Sequence, residues 1–207
     1  MGLPHTEISL IRIGAALALV ALSEASAQDS VTTPLALSAL RGSALIIRGS
    51  TTVGKGWSCT STSIASTVIL RDGTGGIAPA SIQTVSIVVP VNSLRCQSGA
   101  MERAMRKALR ADDPANAAIV AAFTAHRQGD APHSSTAHLN GSLTVAGVER
   151  PVTVDAAVAS VGDVLNVQSR IPLTLSQFNI TAPRVLFGAV RARDAITVDV
   201  ALLFQRE

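Results

Sequence analysis

The chain has 207 residues, 47% of them hydrophobic and 15% charged, with a formal net charge of +3. It is too apolar to be intrinsically disordered, and 15 Gly with 9 Pro are too few for a collagen or a low-complexity linker. Four Phe, one Trp and no Tyr are too few to stack bases or sugars, and no polybasic tail appears, so nucleic acid is not an expected partner.

The chain's mean hydropathy of +0.38 raises the question of a membrane span. The longest uninterrupted small or apolar run, residues 13–22, falls well short of the roughly 20 residues a spanning helix needs. Arg12 precedes it, and Ala25-Ser-Ala27 gives a small-x-small cleavage pattern before Gln28. Residues 1–27 therefore read as a secretory signal, with an uncleaved anchor as the alternative and no stable membrane span. Residues 28–207 are then one domain with room for a proper core. Such a protein works in the periplasm or outside the cell. In that oxidising setting the even pair Cys59 and Cys96 is expected to form a disulfide, with two buried free thiols as the alternative. Closing a loop of about 38 residues contributes roughly 4 kcal/mol in the chain-entropy model.

After a Pro-containing lead over 31–40, the hydrophobic pattern is mostly of period two. Residues 43–48 form a short apolar strand, and 57–70 read as one long Ser/Thr-rich strand. The run 71–76 is a turn. Residues 82–94 alternate, with Val85, Ile87, Val89 and Val91 on one face, and Pro90 marks an edge or the strand's end. Residues 98–111 have helical spacing: Met101, Met105 and Leu109 share a face, Glu102 and Arg106 form an i,i+4 pair, and Asp112-Asp113-Pro114 closes the segment. Strands resume over 119–126, 138–145, 152–158, 165–175 and 195–204, with a loop at 127–133 and a turn at 147–150. The pattern predicts a mainly β fold of about eight antiparallel strands and one amphipathic helix, closed as a barrel or stacked as a β-sandwich.

Chemical motifs are scarce. Gly49-Ser-Thr-Thr-Val-Gly54-Lys55-Gly56 matches a phosphate loop up to its lysine, but Gly56 stands where a Mg²⁺-binding hydroxyl belongs, and a β-prone run follows instead of a helix. It reads as a glycine-rich hairpin turn. His126, His133 and His138 share no metal-ligand spacing, so no metal and no cofactor are expected. No nucleophile elbow or zinc-protease helix occurs, which supports no enzyme; a hydrolase assembled in space is the least favoured reading.

The C-terminal half resembles the YceI-like family. Gly141-Ser-Leu-Thr-Val-Ala-Gly-Val-Glu-Arg-Pro-Val152 is similar to that family's G-x-L-T-x-x-G-V-x-[KR]-P-V hairpin. Leu175-Ser-Gln-Phe-Asn-Ile180 resembles its L-x-D-F-x-I segment, with Gln177 where Asp is usual. The strand over 91–96 and the helix after it are similar to a secreted branch, and the likeness spans about 43–204. It implies a lipocalin-like antiparallel β-barrel that holds an isoprenoid or other amphiphilic lipid in its lumen without catalysis. The expected lining is Trp57, Val85, Ile87, Met101, Met105, Phe123, Leu143, Val145, Phe178 and Phe187, against the alternative of an ordinary filled core. A homodimer stays open, and an envelope scaffold without a lipid is the second functional reading.

Overall fold

The computed structural model describes residues 34–54, 56–71, 77, 79–126, 134–185 and 188–205. The predicted signal over 1–27 and loop over 127–133 lie outside them, as does most of the predicted turn at 71–76. Among the described residues there are twelve strands and one α-helix. In chain order the strands are β1 (Leu35–Ala39), β2 (Ala44–Thr51), β3 (Trp57–Ser61), β4 (Ala65–Leu70), β5 (Ile82–Pro90) and β6 (Arg95–Cys96). After α1 (Gly99–Ala108) come β7 (Ala118–Ala125), β8 (Ser134–Val145), β9 (Val148–Val161), β10 (Val164–Thr174), β11 (Arg184–Val185) and β12 (Val190–Gln205).

All strand pairs are antiparallel, as short turns and period-two alternation require. The order β1-β4-β5-β7-β8-β9-β10-β12 closes through Ser38↔Gln205 and Ala39↔Phe204, giving an eight-stranded barrel rather than a sandwich. β12 is long enough to pair with β1 at one end and with β2 at the other. β2 continues the β1 wall, and β3 continues the β4 wall.

Two details differ from the sequence expectation. The lead over 31–40 contains β1, the strand that closes the barrel. The run over 57–70 is broken at residues 62–64 into β3 and β4. Pro90 ends β5, where its missing N–H interrupts no ladder. The β8–β9 hairpin turns on Ala146 and Gly147, both with positive φ (50° and 75°), the conformation a two-residue turn demands.

Cys59 and Cys96 lie opposite one another in the β3–β6 pair and form a disulfide, with Cα atoms 4.0 Å apart. β6 leads directly into α1. Ser98 caps the helix by accepting from the Met101 N–H at 3.2 Å, and Glu102 pairs with Arg106 at 2.8 Å. Met101, Met105 and Leu109 are buried on the helix's inner face. Arg110, just past the helix, donates to the Ala146 carbonyl and ties the helix end to the β8–β9 turn. Outside the wall, Asp199 of β12 accepts from Arg48 of β2 at 2.7 Å and from Arg170 of β10 at 2.6 Å, linking three strands.

Candidate functional site

Side chains of alternate residues point into the barrel, so its contents can be read strand by strand. One half is packed solid. Leu37, Val68, Leu70, Leu165 and Phe204 are completely buried, with Ala137, Ala156, Val158 and Leu202 between them. The other half is hollow. It encloses a cavity of about 80 Å³ lined by Leu45, Ile47, Ile87, Val89, Ile119, Ala121, Phe123, Leu143, Val145, Val152, Ile171, Leu173, Ile196, Val198 and Val200. Ile87, Leu143, Val152, Ile171, Leu173, Ile196 and Val198 point inward yet are only half-buried. The surface they keep exposed faces the lumen.

Met105 of α1 and Leu109 just past its end, with Leu175, Phe178 and Ile180, cap the hollow half. The segment carrying Leu175 and Phe178 is fixed by its ends. Ser176 donates its N–H and hydroxyl to Asp194 (2.8 and 2.6 Å), and those bonds hold the Asp194 carboxyl below the usual carboxylate range. Asn179 turns the chain with a φ of 56°. Gln177, which stands at the family pattern's Asp position, accepts from the Thr174 N–H at 3.3 Å and hydroxyl at 3.2 Å. Every residue lining the lumen is hydrophobic, so the cavity offers burial and shape but no charge and no hydrogen bond.

Of the residues expected to line a lumen, Ile87, Met105, Phe123, Leu143, Val145 and Phe178 meet around this cavity. Trp57, Val85 and Met101 are buried in the core without lining it. The Trp57 ring lies against Gly49 and donates to the Ser50 carbonyl at 3.3 Å. Phe187 lies outside the described residues. Ile171, Leu173, Ile196 and Val198 line the cavity although the expected lining omits them; the alternation of β10 and β12 was their signal.

Among the described residues the hydrophilic groups form no second constellation. His138 contacts the Asp155 carboxylate, and His126 lies 2.6 Å from Asn140, both on the exposed outer wall. Among the described residues no three His, Cys, Asp or Glu gather as a metal cluster. Nor, among them, is any helix long and apolar enough to cross a membrane.

A closed antiparallel barrel around an apolar cavity, capped by one helix, is a lipocalin-like fold. A sequence model of the YceI-like domain matches residues 27–204, and the chain belongs to that family. No curated protein is significantly similar in sequence. Among solved structures, the chain is similar to a polyisoprenoid binding domain from Saccharophagus degradans implicated in plant cell wall breakdown. That likeness has a TM-score of 0.61 and 13% identity over 84% of this chain and 100% of that one. It is similar to Burkholderia cenocepacia BcnA, with a TM-score of 0.58 and 15% identity over 78% of this chain and 94% of the other. For the Campylobacter jejuni YCEI protein the TM-score is 0.53 and the identity 12%, over 72% and 84%. At these identities the likenesses establish the fold.

Proposed function

We propose that this protein binds the apolar end of an isoprenoid or similar amphiphilic lipid, and carries or sequesters it without chemical change. The observation that carries the reading is a lumen lined by hydrophobic side chains alone, held half empty inside a barrel whose other half is filled. Burying one methylene contributes about 0.8 kcal/mol, so a short chain gains useful affinity with no polar contact inside. The lined depth spans five residues of β7, from Ile119 to Phe123, which in a tilted strand is about 10 Å along the barrel axis. At about 80 Å³ the cavity is well below a typical ligand pocket, so the lumen takes a chain end and leaves the rest of the molecule outside.

The family and the polyisoprenoid-binding neighbour support a binding role over an enzymatic one. The disulfide is compatible with the expected export to the periplasm or the exterior. The test is mass spectrometry of lipids extracted from purified protein, followed by titration of the delipidated protein with farnesol. A co-purifying amphiphile and saturable farnesol binding are expected. A protein that yields no lipid and does not bind farnesol overturns the reading.

A further inference from the structure

The wall of the barrel is interrupted beside the hollow half. The β9–β10 ladder runs from Val164↔Val161 to Ser169↔Ala156 and stops there. Both strands continue, β9 back to Val148 and β10 on to Thr174, each still paired with its other neighbour. They therefore diverge, and Val152, Ile171 and Leu173 of the cavity lining lie along the gap.

The gap's edges are finished in a way a frayed ladder would not be. Main-chain groups along a strand point alternately to its two neighbours. The Asp155 carbonyl accepts from the Ser169 hydroxyl of β10 at 2.8 Å, so Thr153 and Pro151 also turn their main chain toward β10. On the other side, the Leu175 N–H donates to the Asp194 carbonyl of β12, so Arg170, Pro172 and Thr174 turn toward β9. Both prolines thus put their missing N–H at the gap, which keeps the strands from zipping together. The Thr174 N–H is taken by Gln177, and Arg150 spans the outer end by donating to the Gln177 carbonyl at 2.7 Å. Past the Ser169↔Ala156 pair, the Thr153 main chain and the Arg170 carbonyl turn into the gap with no ladder pair across it.

We propose that the β9–β10 gap is the side portal of the lumen and the seat of the ligand's polar end. The chain passes between the strands into the hollow half, and an uncharged hydroxyl or carbonyl group rests on the Thr153 and Arg170 main chain. A charged head is disfavoured because the guanidiniums nearby are already engaged, Arg150 by the Gln177 and Glu149 carbonyls and Arg170 by Asp199. This inference rests on the lipid-binding reading and adds the route and the head-group class.

Thr153 and Pro172 are the outward residues that face one another across the gap, so Thr153→Cys with Pro172→Cys, once loss of both free thiols shows that the bridge has formed, draws the two edges together and shuts the gap. Ala157→Cys with Gln168→Cys, opposite one another in the intact ladder, gives a staple that leaves the gap alone. The measurement is stopped-flow uptake of farnesol esterified with a fluorophore. With the gap stapled, uptake slows by about tenfold or more, as when an opening step limits association, and mild reduction restores it. The control staple leaves the rate unchanged. In parallel, Arg150→Ala unfastens the outer end and speeds release of the probe. Equal rates with and without the gap staple, or unchanged release from the Arg150 variant, overturn the portal and leave lipid binding standing. No uptake by the unstapled protein overturns both.

Discussion

Ala121 is the clearest test of whether the lumen is a maintained hollow. It is an inward residue of β7, between Ile87 of β5 and Leu143 of β8, and it borders the cavity with nothing larger than a methyl group. In Ala121→Leu the added carbons enter that space. A cavity costs about 24 cal/mol per Å³, so filling 80 Å³ recovers at most about 2 kcal/mol. For a domain of this size that is a rise in Tm of roughly 4–8 °C. The same substitution at Ala156, buried in the packed half, enlarges a side chain where no room exists and destabilises by about 1–3 kcal/mol. Urea denaturation of both variants, beside farnesol titration, reads the two signs and the ligand together. The expected pattern is a more stable Ala121 variant that no longer binds and a less stable Ala156 variant. A destabilised Ala121→Leu protein, or one that binds as before, refutes the hollow-lumen argument.

Three further outcomes follow from the framework of the barrel. Replacing both Cys59 and Cys96 with Ser removes a cross-link between positions 37 apart in sequence and lowers stability by about 4 kcal/mol in denaturant titrations. Gly49→Ala places a Cβ against the Trp57 ring, which must shift. Overpacking of this kind costs about 1–3 kcal/mol and moves the emission of the protein's single tryptophan. The hydrogen bond from Arg170, then that from Arg48, holds the Asp199 carboxyl below its ordinary value. Its folded pKa is thus lower than its unfolded one, so its stabilisation is present above about pH 4 and fades as pH falls through the folded value. The stability difference between wild type and Asp199→Asn, read from urea midpoints, should therefore be present at pH 7 and shrink as the pH is taken below about 4.

Most strands and the helix were legible because their signal is local, whereas the choice of a barrel over a sandwich came from the family resemblance. Alternation in β5, β8 and β12 fixes which side chains face inward, and the spacing of Met101, Met105 and Leu109 sets the helix apart. β1 was not legible: five residues of Leu, Ala and Ser next to Pro34 carry little strand preference, and only pairing with β4 and β12 makes them a strand. The lumen was half legible. Alternation put both Val85 and Ile87 inside, but only Ile87 borders the cavity. Which level of the barrel an inward residue occupies depends on tilt and register among eight strands, and no single strand encodes that. The β9–β10 gap shows the same limit. Pro151 sits inside the recognisable hairpin motif and Pro172 inside an alternating strand, and each alone is an ordinary interruption. Their shared meaning arises only when the two strands lie side by side.

The seam between β1 and β12 carries a consequence for how the molecule is made. It joins Ser38 to Gln205 and Ala39 to Phe204, residues at opposite ends of the folded domain. A nascent or truncated chain lacking its last strand has neither half of that seam paired, and contacts so distant in sequence form late and slowly. Until Phe204 is delivered, β1 and β10 each present a bare, sticky edge to other chains. Keeping the polypeptide unfolded until its final segment has arrived is therefore a requirement of the topology itself.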